Sequence, residues 1–324
     1  MKAVICESYG GPDSVQVRTV PDPHPPAAGE LQLRFRARGV QFVDLLQIAG
    51  TYQVRHEVPF IPGAEAAGEV IGVGPGVNRV HHGQNVMTRL RKGAWVEMAN
   101  VSEAACHPIP SALNLEEAAV LQSGHGTAYH ALLNRGRLRS AEWVLVHGAA
   151  GGIGIPAIQV ARWAGAHVIA TASTEAKRAA CLQEGASHAI AYSGGFLEQV
   201  KAITDGRGVD VVYDPIGGAV TEESLRCLAY GGRLLILGFL GGGPASIRSN
   251  YLLIKAIESV GVYMGRFQAE QPELFEANAR EIVSLAASGV FRPRISHRFP
   301  LEQASEALRA IAARAVIGRA VLTG

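Results

Sequence analysis

The stretch "HGAAGGIG", residues 147–154, follows the apolar run "WVLV" and precedes "IPAIQVARWAGA". Val144, Leu145 and Val146 have strand character, whereas Ile155, Ile158, Val160, Ala161 and Ala164 recur near helical spacing. The whole reads as strand, glycine turn and helix. Such a turn lets the backbone approach a pyrophosphate, and a helix beginning near Gly152 aims free amides and its positive dipole end at that group. The spacing is Ala149-x-Gly151-x-x-Gly154, which departs from the G-x-G-x-x-G fingerprint at its first position. An ordinary strand-to-helix turn is the plain alternative, so the flanking sequence must carry the reading.

Downstream, "AHVIATA" (166–172) gives a second strand, and "STEAKRAACLQEGA" opens on the cap-type residues Ser173 and Thr174 and ends near Gly185. The apolar segments "HAIAY" (188–192), "VDVVYD" (209–214), "GRLLILG" (232–238) and "ESVGVYMG" (258–265) follow, each separated from the next by a stretch able to form a helix. Alternation of this kind implies an α/β fold with a parallel sheet covered on both faces, and six strands complete a doubly wound dinucleotide domain.

Charge after the second strand selects the dinucleotide. NAD sites usually carry a carboxylate about 20 residues past the glycines, for the ribose 2′-hydroxyl. Here the stretch reads Thr171, Ala172, Ser173, Thr174, and Glu175 stands in the first helical turn, where the helix dipole alone favours an acid. Lys177 and Arg178 follow. Small hydroxyl residues and cations suit a 2′-phosphate, which favours NADPH, although Lys177 also reads as a solvated helix lysine.

A chain of 324 residues suggests two domains, and 48% apolar content suffices for a substantial core. The net charge of +2 favours neither nucleic acid nor an anionic membrane surface as a partner. In "LQLRFRARGV" the alternation puts Arg34, Arg36 and Arg38 on one strand face, read as solvated, opposite Leu33, Phe35 and Ala37. Cys6, Cys106, Cys181 and Cys227 are too scattered for a disulfide framework or zinc knuckle. The opening "MKAVICESYGGPD" has too short an apolar run for a signal peptide. Residues 143–161 lack charged side chains but contain His147, four glycines and Pro156, so a buried strand-turn-helix is expected rather than a membrane span. The expectation is a soluble, cytoplasmic protein.

Residues 1–120 differ in texture, with strand-like "LQLRFRA", "AAGEVIGVG", "GQNVMT" and "AWVEMANV" between Gly/Pro turns such as "GGPD", "PDPHPP" and "GPGVN". That predicts a compact, mostly β domain. A helical tail, "PELFEANAREIVSLAASG" and "PLEQASEALRAI", follows the dinucleotide domain.

The segments "KAV…GGPDSV", "GVQFVDLLQIAGTY" (39–52), "IPGAEAAGEVIGVGPGV" (61–77), "GTAYHAL" (126–132), "VHGAAGGIG" and "LEQASEAL…GRAVL" resemble the medium-chain dehydrogenases/reductases, and within them the zinc-independent quinone oxidoreductases. The resemblance covers nearly the whole chain. It implies a GroES-like, mostly β catalytic domain over 1–122 and 266–324, a Rossmann NADPH-binding domain over 123–265, and a cofactor in the cleft. It also implies a homodimer formed through the edge strand "ESVGVYMG".

Zinc-dependent relatives supply Cys, His and Cys to a catalytic metal at positions that here read Gln41, Ala64 and Ser123, none a good zinc ligand. The lobe for a structural zinc is missing, and His81, His82, His125 and His130 offer no replacement cluster. A metal-free protein is expected. Without a Lewis acid, alcohol oxidation is disfavoured, while reduction of an electron-poor quinone or α,β-unsaturated carbonyl remains feasible.

The resemblance places Gln41, Asp44 and Tyr52 around nicotinamide and substrate, with Gln41 where the family usually has Asn. Tyr52 is either a donor to the developing oxyanion or a partly buried core tyrosine. Thr127 is implied near the nicotinamide half, and Ala150, Gly151, Gly152 and Ile153 at the pyrophosphate. Ser173, Lys177, Tyr192 and Arg314 are implied at the 2′-phosphate, and Gly238 and Phe239 at the nicotinamide amide. Asn250 begins a helix that relatives place near the cleft, and Asp214 in "YDPIGG" reads as a turn residue. The expected activity is NADPH-dependent quinone reduction. The alternatives are an enone or enoyl reductase and an NADPH-binding protein with little catalysis. RNA binding lacks a basic aromatic stretch, and a hydrolase lacks G-x-S-x-G.

Overall fold

The computed structural model describes residues 1–192, 194–241 and 243–324. The chain divides into two compact units, residues 1–123 with 286–324, and residues 124–285. The return to the first unit falls at 286, where the sequence reading had 266. The helix Met264–Glu270 and the helix Pro272–Ala287 as far as Leu285 side with the second unit instead. There Phe267 stacks on His130 with ring centroids 3.6 Å apart, and Asn278 donates to Asn134 at 2.7 Å. These tertiary contacts leave no trace in a helical sequence pattern.

The second unit is built on six parallel strands in the order His188–Ile190, His167–Thr171, Trp143–Val146, Val209–Asp214, Leu228–Ile236, Glu258–Gly261. Counted along the chain this is 3-2-1-4-5-6, the doubly wound dinucleotide order, which opens a crevice at the carboxyl ends where the order reverses. Val144, Leu145, Val146, Val211, Val212 and Tyr213 are fully buried, as central strands covered on both faces must be. The uncharged run 143–161 is the strand Trp143–Val146, the turn and the start of the helix Gly154–Trp163. Among the described residues no helix is long and apolar enough to cross a membrane.

The first unit holds a seven-stranded sheet running Ile295–Pro300, Arg319–Thr323, Glu30–Val40, Glu65–Val73, Asn85–Arg89 and Cys106–Pro108, with Met98–Ser102 also paired to Glu30–Val40. The run "AWVEMANV" is a strand only from Met98. Ahead of it Val96 forms an isolated bridge to Ala3, and Trp95 is fully buried. Leu31, Leu33 and Phe35 face the core while Arg34 and Arg36 are exposed, as alternation predicts.

Arg38 departs from that pattern: it is 0% exposed. The ladder to Glu65–Val73 slips register between Phe35 and Ala37, and the guanidinium turns inward onto backbone carbonyls. It donates to Val96 O (2.9 and 2.7 Å), Phe35 O (2.8 Å) and Gly324 O (3.0 Å). Burial lowers its pKa to about 10, and hydrogen bonds to carbonyls take the place of its water. Alternation fixes which face a side chain leaves from, and carbonyl partners decide whether a cation on that face can be buried.

Candidate active site

In the second unit the turn after Trp143–Val146 is shaped by Gly148, whose φ of +59° is in the left-handed region. The glycine the bend requires therefore stands one position before the missing fingerprint glycine. Ala149 needs no unusual backbone and sits buried with its amide on Thr171 O at 3.2 Å. Gly154 serves close packing, since a Cβ there would lie 2.4 Å from Gly148 O and 2.6 Å from the Ala149 Cα. The Gly151 amide donates to Gly148 O at 2.9 Å. The amides of Gly152 and Ile153 make no backbone hydrogen bond among the described residues, directly ahead of the helix Gly154–Trp163. Ala150 is buried, and Gly151, Gly152 and Ile153 are half-buried.

Two side chains brace this turn: His147, which motif reading missed, and Tyr192, which the resemblance implied at the 2′-phosphate. His147, fully buried, exchanges hydrogen bonds with Thr171 Oγ1 (2.9 Å) and Ser224 Oγ (2.7 Å), and burial pulls its pKa down to about 4, so the imidazole is neutral at pH 7. The Gly148 amide donates to the Tyr192 hydroxyl at 2.7 Å. Asp214 is a turn residue, as expected: it accepts from the amides of Ile216 (2.7 Å) and Gly217 (3.2 Å) and from the Thr221 hydroxyl.

After His167–Thr171, Thr174 caps the helix Glu175–Gln183 by accepting from the Lys177 amide at 3.3 Å. Ser173 is exposed, Lys177 half-buried in the first turn, and Arg178 reaches back to Ala172 O at 3.3 Å. No carboxylate stands between Thr171 and Thr174. Gly238 and Phe239 lie just past the strand Leu228–Ile236, and Phe239 is 44% exposed. Thr127 is half-buried in the helix Leu115–Tyr129, and Asn250 is exposed on Ser249–Lys255. His125 pairs with Gln159 at 2.9 Å.

In the first unit Gln41 caps the helix Phe42–Ile48 through a reciprocal box: its side chain accepts from the Asp44 amide, and Asp44 accepts from the Gln41 amide at 2.7 Å. Gln41 Nε2 also donates to Ser123 Oγ at 3.3 Å. The fold thus brings together two positions 82 residues apart. Tyr52, half-buried, follows the helix with its amide on Leu46 O at 3.2 Å. Arg314 also belongs to this unit; it is exposed, at φ +55°, after the helix Ala304–Ala312.

Beneath Gln41 lies a buried charge cluster. Glu65 and Arg319, 1% and 4% exposed, form an ion pair across 254 residues of chain, and Asp44, 1% exposed, feels the Arg319 charge. Gly39 makes room for it, since a Cβ there would meet Glu65 Oε1 at 2.3 Å. Asp44 Oδ1, Glu65 Oε2 and Arg319 Nε are buried without hydrogen-bond partners. Two carboxylates and one guanidinium leave an excess negative charge in a dry interior, which a proton neutralises. Burial accordingly pushes Asp44 up to about 7, against the Gln41 amide and the Arg319 charge.

The folded carboxyl binds its proton more tightly than the unfolded one, so its favourable contribution is complete below the ordinary value of 3.8 and is lost as pH rises through about 7. Asp44→Asn copies the protonated shape. Its urea midpoint is expected to vary less between pH 5 and 8 than that of the parent, and matching pH profiles would place the proton elsewhere.

Among the described residues no three His, Cys, Asp or Glu side chains are grouped so as to hold a metal ion. Gln41, Ala64 and Ser123 offer an amide, a methyl and a hydroxyl, which do not fit zinc.

Residues 27–111 match the alcohol dehydrogenase GroES-like domain family, and residues 152–280 the zinc-binding dehydrogenase family. Quinone oxidoreductase-like protein 2 of Bos taurus is 33% identical, covering 99% of this chain and 92% of its own length. Among solved structures, a probable oxidoreductase from Mycobacterium abscessus is 34% identical with a TM-score of 0.91, covering 100% of this chain and 99% of that one. The Escherichia coli quinone oxidoreductase, solved as its NADPH complex, is 30% identical with a TM-score of 0.91 over 100% of both chains. The two units are therefore a GroES-like domain and a Rossmann domain, and the chain belongs to the quinone oxidoreductase family of the medium-chain dehydrogenases/reductases.

Proposed function

We propose that the protein reduces quinones with NADPH by hydride transfer and without a metal. The observation that carries this reading is the Gln41–Ser123 hydrogen bond, which joins an amide to a hydroxyl where zinc-dependent relatives carry thiolates. The residues fit NADPH. The amides of Gly152 and Ile153, at the start of the helix Gly154–Trp163 and beside Ala150 and Gly151, suit a pyrophosphate. Ser173, Lys177 and Tyr192 supply hydroxyls and a cation for the 2′-phosphate. Gly238, Phe239 and Thr127 serve the nicotinamide half.

NADPH, when bound, supplies the hydride. The chain's own part is to orient the acceptor and meet the charge that develops on its oxygen. Tyr52 donates its phenolic proton to that oxygen. Gln41 positions the acceptor, its amide fixed by Asp44 on one side and Ser123 on the other. A panel of quinones, enones and enoyl thioesters, followed by NADPH oxidation, tests the assignment. Saturable turnover of quinones supports it, and turnover confined to carbon–carbon double bonds replaces it with enone reduction.

Lys177→Glu places a carboxylate in the first turn after the second strand, and the ratio of kcat/KM for NADPH over NADH is expected to invert, a change of at least a hundredfold (about 2.7 kcal/mol). An unchanged ratio removes Lys177 from the 2′-phosphate site. The strand Glu258–Gly261 is a sheet edge, near the exposed Leu253 (84%) and Ile254 (72%). Pairing of this edge with its counterpart in a second copy gives a homodimer. Sedimentation should give twice the single-chain mass, and a monomer at micromolar concentration would discard this interface.

A further inference from the structure

No step of the proposed reaction uses His147, yet this fully buried imidazole stands at the head of the glycine turn with both ring nitrogens engaged. Nδ1 lies 2.9 Å from Thr171 Oγ1 and Nε2 lies 2.7 Å from Ser224 Oγ. Thr171 and Ser224 are fully buried as well, so the group must share its few protons internally. Each hydroxyl has a second claimant for its hydrogen: Val220 O at 2.6 Å from Ser224 Oγ, and Val146 O at 3.1 Å from Thr171 Oγ1.

A neutral imidazole carries one N–H, and counting protons decides which nitrogen has it. With the hydrogen on Nδ1, Ser224 would have to donate to Nε2, which leaves its oxygen 2.6 Å from Val220 O with no proton between them. That contact is repulsive. With the hydrogen on Nε2, Ser224 accepts from His147 and donates to Val220 O, while Thr171 donates to Nδ1. Only the longest contact, Thr171 to Val146 O, is given up.

Thr171 carries the constraint onward. Its hydroxyl is also hydrogen-bonded to the Tyr192 phenol, whose oxygen accepts the Gly148 amide at 2.7 Å. Its carbonyl accepts the Ala149 amide at 3.2 Å. Tyr192 and Phe196 pack on the imidazole with ring centroids 5.8 and 5.0 Å away, which fixes the plane of the ring. A 2′-phosphate would compete with Thr171 for the phenolic proton and leave the Gly148 bond, which uses the oxygen, in place.

We propose that His147, as its Nε2–H tautomer, is a positioning residue for NADPH: through the Thr171 hydroxyl and the Tyr192 phenol it sets the bend at Gly148, and with it the aim of the Gly152 and Ile153 amides. The inference rests on the reading that this turn takes the pyrophosphate. Because the effect passes through the turn, NADPH and NADH are affected alike.

The test has two readouts on the full chain. In protein labelled with 15N-histidine, the His147 signals are those lost in His147→Asn. A protonated Nε2 and an unprotonated Nδ1 at pH 7 are expected, and a protonated Nδ1 overturns the proposal. Fluorescence titration then compares NADPH and NADH binding in three variants, with urea midpoints measured alongside. Asn keeps an acceptor in the place of Nδ1, Gln keeps a donor in the place of Nε2, and Phe keeps only a ring. His147→Asn is expected to stay within about threefold of the parent for both nucleotides, while His147→Gln and His147→Phe each lose about tenfold or more for both. Equal losses in Asn and Gln, or affinities that follow the urea midpoints, overturn the proposal by reducing His147 to packing. A loss confined to NADPH overturns it by moving the effect to the 2′-phosphate. Retained affinity in Gly154→Val sinks the underlying reading of the turn, whereas His147 variants that bind alike while Gly154→Val loses the nucleotide sink only the role of His147.

Discussion

Gly154→Val is expected to abolish NADPH binding, a loss of more than a hundredfold in affinity measured by fluorescence titration. The added Cβ would lie within 2.6 Å of Gly148 O and of the Ala149 Cα and O, all backbone atoms of the turn. Backbone cannot rotate away as a flexible side chain can, so either the helix Gly154–Trp163 withdraws from the strand or the turn opens. Overpacking of this kind costs about 1–3 kcal/mol in stability. The larger effect falls on binding, because the amides of Gly152 and Ile153 lose their common aim. Gly11→Ala, where a Cβ meets nothing within 4 Å, is the control and should leave both quantities unchanged. A Gly154→Val protein that retains parental NADPH affinity would show that this turn does not hold the nucleotide.

Arg319→Met should destabilise the first unit by about 3–5 kcal/mol at pH 7.5, because it strands Glu65 beside Asp44 in a dry interior. The damage comes from the uncompensated charge more than from the lost attraction. Glu65→Gln added to Arg319→Met should therefore recover much of the stability. At pH 5, where Asp44 holds its proton, the single variant should suffer less than at pH 7.5. Urea denaturation of the parent, both single variants and the double variant closes the cycle. Additive losses would mean that Glu65 and Arg319 act independently despite their contact.

The sequence made the second unit legible because its central strands are short apolar runs separated by stretches able to form helices, and because Thr174 marks the start of the helix Glu175–Gln183. "WVLV", "AHVIATA" and "VDVVYD" appear as strands at the expected places. The turn was readable in outline. The fingerprint's absent glycine misdirects attention to Ala149, whereas the backbone bends at Gly148.

What stayed hidden depends on long-range contacts. Glu65 and Arg319 are 254 residues apart, and neither "GAEAAG" nor "IGRAV" announces a partner. Arg38 looked like Arg34 and Arg36 because alternation is blind to the carbonyls of Val96 and Gly324 that receive it. The packing of Phe267 on His130, which draws residues 264–285 into the second unit, is equally invisible to periodicity. For the candidate site, Gln41, Asp44 and Ser123 were named from the sequence, while the reciprocal cap that locks Gln41 required coordinates.

The central claim is that hydride passes from NADPH to an electron-poor acceptor with only protein groups assisting. Its most direct test is the rate of NADPH oxidation with a saturating quinone, measured before and after exhaustive chelation, with the metal content of both samples determined. An unchanged rate in protein containing far less than one zinc per chain is the predicted result. A rate that collapses on chelation and returns when zinc is added back would contradict it.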